Sequence, residues 1–306
     1  MLSADGKTPL IIDGDNAYCP NTKKFFKNDS NVINFLESKN KFYEGAYLNT
    51  VNFSGSTNNY LNKIVTWTIN SGYLYEIDKN VRSGSNILEL GCAGGINYLG
   101  RKYNTYGCDL SFQSLKIASK SYEYCALADS TEGLPFLENS FDAVVSSYFW
   151  EHLNKEQKFK CLKNISRVLK PDGLIIFLYD VSTQNPLVNF FRKKNPENYQ
   201  EKFLEHDGHI GYEEIEENIT NFEKNNFSII YNKGLQKTVF QDPSVYQKFL
   251  GIGNFLQNYL LKVILFLSTG KFYKPYLLFL RILDASFSFL PQSWSRMTIT
   301  VAKKNQ

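Results

Sequence analysis

The residues best placed to do chemistry are three acids at even intervals, Glu89, Asp109 and Asp129, each 20 positions from the next. Glu89 lies in an apolar run, Ile87-Leu88-Glu89-Leu90, that gives way at once to small residues: Gly91, Cys92, Ala93, Gly94 and Gly95. A strand entering such a turn, with a helix behind it, brings backbone N–H groups close to a ligand at the helix start. A carboxylate at the tip of the next strand can accept both hydroxyls of a ribose, and one a strand further along can accept from an adenine amino group. Three acids in one crevice repel each other, so the ligand should carry positive charge as well as a nucleoside. A dinucleotide fits less well. G-x-G-x-x-G from Gly91 needs glycine at 93 and 96, where Ala93 and Ile96 stand.

The surrounding pattern supplies the elements that position these acids. Strands are expected at Asn86–Leu90, Thr105–Asp109, Tyr124–Leu127, Asp142–Ser146 and Leu174–Tyr179, with helices at Ile96–Lys102, Ser114–Lys120 and Lys155–Leu169. Short apolar strands alternating with amphipathic helices mean β-α-β units and a parallel sheet covered on both faces. A helix from Asn58 to about Asn70 should precede the first core strand. Further on, a helix at Glu213–Lys224, a strand at Phe227–Tyr231 and a last strand at Thr298–Val301 are expected, the last with Met297, Ile299 and Val301 on one face.

Composition sets the outer bounds. With 306 residues, 43% hydrophobic and 15% aromatic, the chain reads as globular and able to bury a large core. Its net charge of +4 is uneven, since residues 251–306 carry seven cations against Asp284 alone. Five cysteines occur singly with no C-x-x-C, and the start MLSADGK has no apolar leader, which suits the reducing cytoplasm. The most apolar stretch, Phe255 to Leu267, is interrupted and shorter than the ~20 residues of a spanning helix.

The strings ELGCAGG, YGCDLS, ADSTEGLPFLENSFDAVVSSYFWEHL and ISRVLKPDGLIIF resemble the class I, Rossmann-like S-adenosylmethionine-dependent methyltransferases, in particular those acting on small molecules and lipids. The resemblance covers about 86–179. It implies that Glu89 and Gly91, Cys92, Ala93, Gly94 and Gly95 hold the methionine part of the cofactor, that Asp109 binds the ribose with Leu110 beside the adenine, and that Ala128 and Asp129 meet the adenine edge. Ser146 and Ser147 would line the transfer site. Ala93-Gly94 replaces the family's usual Gly-Thr or Gly-Ser.

Three histidines are candidates for the chemical step. Glu151-His152 follows the fourth core strand, and His152 is read as base or substrate contact, or as orienting the helix behind it. Related quinone-biosynthesis O-methyltransferases carry a similar Glu-His pair that can bind a divalent metal with an acid three residues earlier. Tyr148 stands there in this chain, and no metal is expected. In His206-Asp207-Gly208-His209 a metal is again disfavoured, and His209 either faces the acceptor or belongs to a surface loop. The stretch Thr8–Leu36 is similar to a degenerate zinc-ribbon lead-in, but Cys19 stands alone and implies no zinc. Phe42-Tyr43 and Tyr47 either close over the cofactor or pack ordinarily.

These readings give a doubly wound α/β domain with a seven-stranded, mostly parallel sheet. Residues 1–55 form an irregular β-rich lead-in, 56–233 and 296–306 the core, and 234–295 a helical cap. The expected reaction moves a methyl from S-adenosylmethionine to a small-molecule, lipid-linked or glycan-linked acceptor, oxygen favoured. An RNA methyltransferase and a non-catalytic cofactor-binding protein are the alternatives, and a nucleotide-dependent oxidoreductase is disfavoured. The basic, aromatic segment 251–290 could touch a membrane peripherally, whereas a nucleic-acid partner is disfavoured because the cations lie among apolar helices.

Overall fold

Strands greasy on both faces need backbone partners on both edges and a layer of helices on each side. The computed structural model, which describes residues 1–36 and 59–305, meets both needs; Phe42, Tyr43 and Tyr47 lie outside the described residues. Eleven strands are described: β1 (Ile11–Asp13), β2 (Asn16–Cys19), β3 (Lys24–Asp29), β4 (Val32–Asn34), β5 (Asn86–Leu90), β6 (Asn104–Asp109), β7 (Tyr124–Leu127), β8 (Phe141–Ser147), β9 (Leu169–Asp180), β10 (Phe227–Leu235) and β11 (Met297–Lys304). They form one sheet in the order β1-β2-β3-β4-β7-β6-β5-β8-β9-β11-β10. Strands β7, β6, β5, β8 and β9 run parallel, and β11 and β10 close that edge antiparallel.

The seven expected core strands are therefore present, in the doubly wound arrangement. The lead-in adds four more to the same sheet, because β4 pairs in parallel with β7, Val32 opposite Cys125. Strands β2 and β4 have only four and three residues, too few for an alternating pattern to stand out in the sequence.

Alternation along each strand divides the core in two. Leu88 and Leu90, Val144, and Ile175, Phe177 and Tyr179 face one layer, where the helix Lys155–Val168 buries Cys161, Leu162, Ile165 and Val168. That helix starts on a capping box, Asn154 with Gln157, in which each side chain satisfies an otherwise unpaired backbone N–H. Ile87, Val145, Ile176 and Leu178, with Met297, Ile299 and Val301, face the other layer, against Tyr73, Leu74, Ile77, Leu99 and Leu115.

A third apolar cluster is built by helices alone. Val188 and Phe191 from the helix Pro186–Lys194, with Tyr199 and Phe203, pack on Val245, Tyr246, Phe249, Leu261, Tyr276 and Leu280. The helical layer thus takes in 186–205 as well as the segment before the last strand. Asn185 caps the helix Pro186–Lys194 by accepting from Leu187 N, and proline sits in its first turn, where it gives up no helical hydrogen bond.

Candidate active site

The sheet has its switch point at β5: the chain leaves to β6 on one side and returns to β8 on the other. Crevices at such points, beyond the carboxyl ends of the strands, are where open α/β sheets hold ligands. The turn Gly91–Gly95 lies there. Gly91 has φ +59°, and a Cβ on it would sit 2.7 Å from the Phe149 ring. Ala93 also adopts positive φ, 43°, an unusual state for a residue with a side chain. Gly95, φ +76°, approaches the Ala118 methyl so closely that a Cβ would stand 3.0 Å from it.

Glu89 alternates onto the Ile87 face and is buried. Its Oε2 accepts from the Tyr122 hydroxyl, whose oxygen accepts from Ile96 N at 2.8 Å. Burial pushes the Glu89 carboxyl up to about 8; the Tyr122 hydrogen bond opposes this, and the nearby Asp109 adds to it. Asp109 ends β6 and is shared between two turns: Oδ2 accepts from Ala93 N at 2.9 Å and Oδ1 from Ser111 N at 2.8 Å. Burial raises its pKa, and the N–H groups of Ala93, Ser111 and Leu110 offset part of that rise. Carboxyls whose pKa rises together in one crevice would gain from a bound cation.

The rest of the expected set is placed as follows. Leu110 follows β6 and is half-buried, and Ala128 follows β7 and is buried. Asp129 accepts through Oδ1 from Thr131 N at 2.8 Å and Thr131 Oγ1 at 2.7 Å, and no described residue bonds its Oδ2. Ser146 and Ser147 lie inside β8, not beyond it. The Ser146 hydroxyl is buried and donates to Leu90 O at 2.7 Å, so it ties β8 to β5 beside the turn.

A second polar cluster stands past the tip of β8. Glu151 is buried, His152 and His209 are half-buried, and one ligand-type atom of each lies within 4.8 Å of the others. The imidazoles of His152 and His209 are 5.3 Å apart, and His209 stacks on Tyr212 at 5.3 Å. His152 Nδ1 is 3.0 Å from Gly208 O. A carbonyl only accepts, so Nδ1 carries the proton and a neutral His152 keeps its lone pair on Nε2. Glu151 Oε1 accepts from Asp180 N at 3.3 Å, while Glu151 Oε2 and His209 Nδ1 are buried with no hydrogen-bond partner. Burial, then the Asp180 charge, pushes Glu151 up to about 8. Burial lowers the pKa of His209, with Asp180 opposing and His152 reinforcing, which favours the neutral, proton-accepting form at neutral pH. His206 is exposed and stands outside this group.

The loop carrying His209 is held by residues that the sequence reading did not single out. Gly211 N donates to Glu151 O at 2.9 Å, and a Cβ on Gly211 would stand 1.7 Å from Leu153 O. Lys158, almost fully buried, donates to Gly211 O at 2.8 Å, Glu213 Oε2 at 2.7 Å and Asn218 Oδ1 at 3.0 Å. Its position on the Cys161, Leu162 and Ile165 stripe of its helix was the available signal. Tyr122 gave none, since its partner Glu89 is distant in sequence.

Strand order, cradle and acid set define an α/β domain of the S-adenosylmethionine-dependent methyltransferase class. Residues 88–177 match the family described as Methyltransferase domain, and this segment is a class I, Rossmann-like methyltransferase domain with S-adenosylmethionine as its cofactor. An uncharacterized protein of Methanocaldococcus jannaschii is 33% identical over 123 residues, 38% of this chain and 48% of that protein. Probable tRNA methyltransferase 9B of Mus musculus is 31% identical over 108 residues, 34% of this chain and 24% of that protein. The chain thus spans half or less of the length of these curated relatives. Phosphoethanolamine N-methyltransferase 2 of Haemonchus contortus, solved with S-adenosyl-L-methionine, shares the fold at TM-score 0.50 and 17% identity, covering 78% of this chain and 53% of that one.

The donor set fits the cofactor. Glu89 suits an ammonium, Asp109 the ribose hydroxyls, and Asp129 Oδ2 an adenine amino group.

Proposed function

We propose that this chain methylates an oxygen of a small-molecule, lipid-linked or glycan-linked acceptor. When bound, the cofactor supplies an electrophilic methyl on a sulfonium sulfur. The observation that supports the reading is the adjacency of two sites at neighbouring strand tips: the Glu89 and Asp109 cradle, and the cluster of Glu151, His152 and His209. In-line positioning can lower a barrier by ~7–11 kcal/mol. A neutral His209 or His152 accepting the acceptor's hydroxyl proton adds ~10²–10⁴-fold. Glu151, mostly protonated at neutral pH, can donate to the acceptor instead of repelling it. The five cysteines, all free and buried, support a cytoplasmic workplace.

Calorimetric titration with S-adenosylmethionine and with a dinucleotide tests the cofactor. Incubation with labelled methyl donor and, separately, lipid, glycan and RNA fractions tests the acceptor. Label in a hydroxyl-bearing lipid, glycan or small molecule is the expected result. Label in RNA would replace this acceptor class, and binding without turnover in any fraction would make the chain a binding protein.

One observation favours a second reading. Glu151 Oε2 and His209 Nδ1 are buried without partners beside a third ligand-type atom of His152, and two histidines with a carboxylate suit a divalent cation. Turnover that is lost on chelation and restored by a divalent ion would select this reading over proton transfer by a free histidine.

A further inference from the structure

Surface helices of a water-soluble fold turn polar side chains outward. Two helices of the cap do not. In Phe255–Ser268, Leu261 and Ser268 face inward, and Ile264 and Leu265 lie against the third apolar cluster. The outward side carries Leu256, Tyr259, Leu260, Val263, Phe266 and Leu267. The helix Tyr273–Ser286 likewise turns Leu278, Phe279 and Ile282 out, and the chain beyond it exposes Phe287 and Phe289. Phe255 is 87% exposed, Phe289 77% and Phe266 69%. Large contiguous apolar faces of this kind mark a partner surface.

The charges on this face say which partner. From 243 to 283 the sequence holds no Asp or Glu. Lys248 pairs with Asp207 and Arg281 with Asp284, whereas Lys262, Lys271 and Lys274 are exposed and make no ion pair among the described residues. Two copies meeting through this face would bury one basic patch against another, with no acid from 243 to 283 to pair with the lysines. An anionic surface with an apolar interior satisfies both halves of the face.

We propose that the face formed by 255–289 docks this protein on an anionic lipid bilayer, with both helices lying in the headgroup region. Neither is long enough to cross alone. Each has 14 residues, or ~21 Å of helix against a hydrocarbon core of ~30 Å, and the pair bends by 65° at its break. A cleft of about 330 Å³ between Val239, Phe240, Leu283, Phe287 and Trp294 lies at the edge of the face and suits a hydrocarbon segment. The inference is independent of the transfer reaction, because docking is read without cofactor or acceptor.

The test is co-sedimentation of the full chain with phosphatidylcholine vesicles and with vesicles containing about a third phosphatidylglycerol, at about 0.1 M salt, where surface charge is felt over about 10 Å. Binding to the anionic vesicles is expected to exceed binding to the neutral ones by tenfold or more. Leu260→Asp with Phe266→Asp should abolish it with an unchanged unfolding midpoint, since both positions face solvent. Replacing Lys262, Lys271 and Lys274 by Gln should weaken it roughly fivefold per residue. Equal binding to both vesicles, binding to neither, or full binding by the Gln variant would overturn the proposal. So would sedimentation velocity showing a dimer that the Asp pair dissociates, which would assign the face to a second copy.

Discussion

Cofactor binding should release a proton, and the proton should come from Glu89. Its buried carboxyl is held at about 8, so at pH 7 about one molecule in ten carries the charge that an ammonium needs. Ionising it for the ligand costs about 1.4 kcal/mol at pH 7, one pKa unit, and little above pH 9. Affinity for S-adenosylmethionine should therefore climb about tenfold between pH 6 and pH 7, where the ligand's own ammonium stays charged, and fall again once that ammonium deprotonates above about pH 8, while roughly 0.9 proton leaves per ligand bound at pH 7. Titration calorimetry in buffers of different ionisation enthalpy counts that proton directly. Glu89→Gln should abolish the release and weaken binding about 10–100-fold near pH 8, the worth of a hydrogen bond to a charged group. The same shift affects folding. The native pKa stands above the ordinary 4.5, so the neutral carboxyl's contribution is complete below 4.5 and is lost as pH rises through about 8. The ligand-free protein should accordingly melt lower at pH 8.5 than at pH 6, with a smaller drop in Glu89→Gln. Equal proton release by both proteins, or an affinity flat from pH 6 to pH 7, would refute the assignment of Glu89 as the cation's partner.

Three other outcomes can be checked with the same material. Gly91→Ala puts a Cβ at positive φ, 2.7 Å from the Phe149 ring; the backbone alone costs ~1–2 kcal/mol, and calorimetry should show cofactor affinity down tenfold or more. His209→Gln should lower kcat by ~10²–10⁴ with cofactor affinity unchanged; because burial lowers the native pKa of His209, the acid limb of the wild-type pH–rate profile should lie below the ordinary histidine range, and a limb at or above that range would count against it. Lys158→Met leaves the buried Glu213 carboxylate with Asn221 Nδ2 at 3.3 Å and the exposed Lys155 at 3.9 Å as its remaining partners and should cost up to ~3–5 kcal/mol in urea unfolding, with most of that recovered by adding Glu213→Leu.

The parallel core was legible because each strand announces itself locally. Ile87-Leu88-Glu89-Leu90 is apolar on both faces, and it ends in residues small enough for the turn that Gly91 and Gly95 make. The acids were legible as strand tips, since a spacing of one β-α unit repeats between Glu89, Asp109 and Asp129. What escaped depends on partners distant along the chain. Tyr122 looks like an ordinary aromatic between helix and strand until it meets Glu89, and Gly211 looks like a loop glycine until Leu153 O passes beside it. The helices of 186–205 were a different miss. Asn185-Pro186 is a cap followed by a first-turn proline, and Val188 and Phe191 keep helical spacing, but the Asn- and Lys-rich setting concealed the pattern.

The electrostatics of the cradle also bear on why this chain suits a sulfonium nucleoside more than a dinucleotide. Burial raises the pKa of both Glu89 and Asp109, and the Asp109 charge raises Glu89 further, so a ligand bringing positive charge favours their ionised forms and one bringing a pyrophosphate opposes them. The positive φ of Ala93 turns its N–H onto Asp109 Oδ2, and that donor is then unavailable to a phosphate oxygen. The N–H that a dinucleotide site would aim at its ligand is here spent on Asp109. Charge and backbone direction therefore favour the same ligand by separate routes, and Asp109→Asn, whose side-chain oxygen can still accept from Ala93 N, should not open the turn to phosphate.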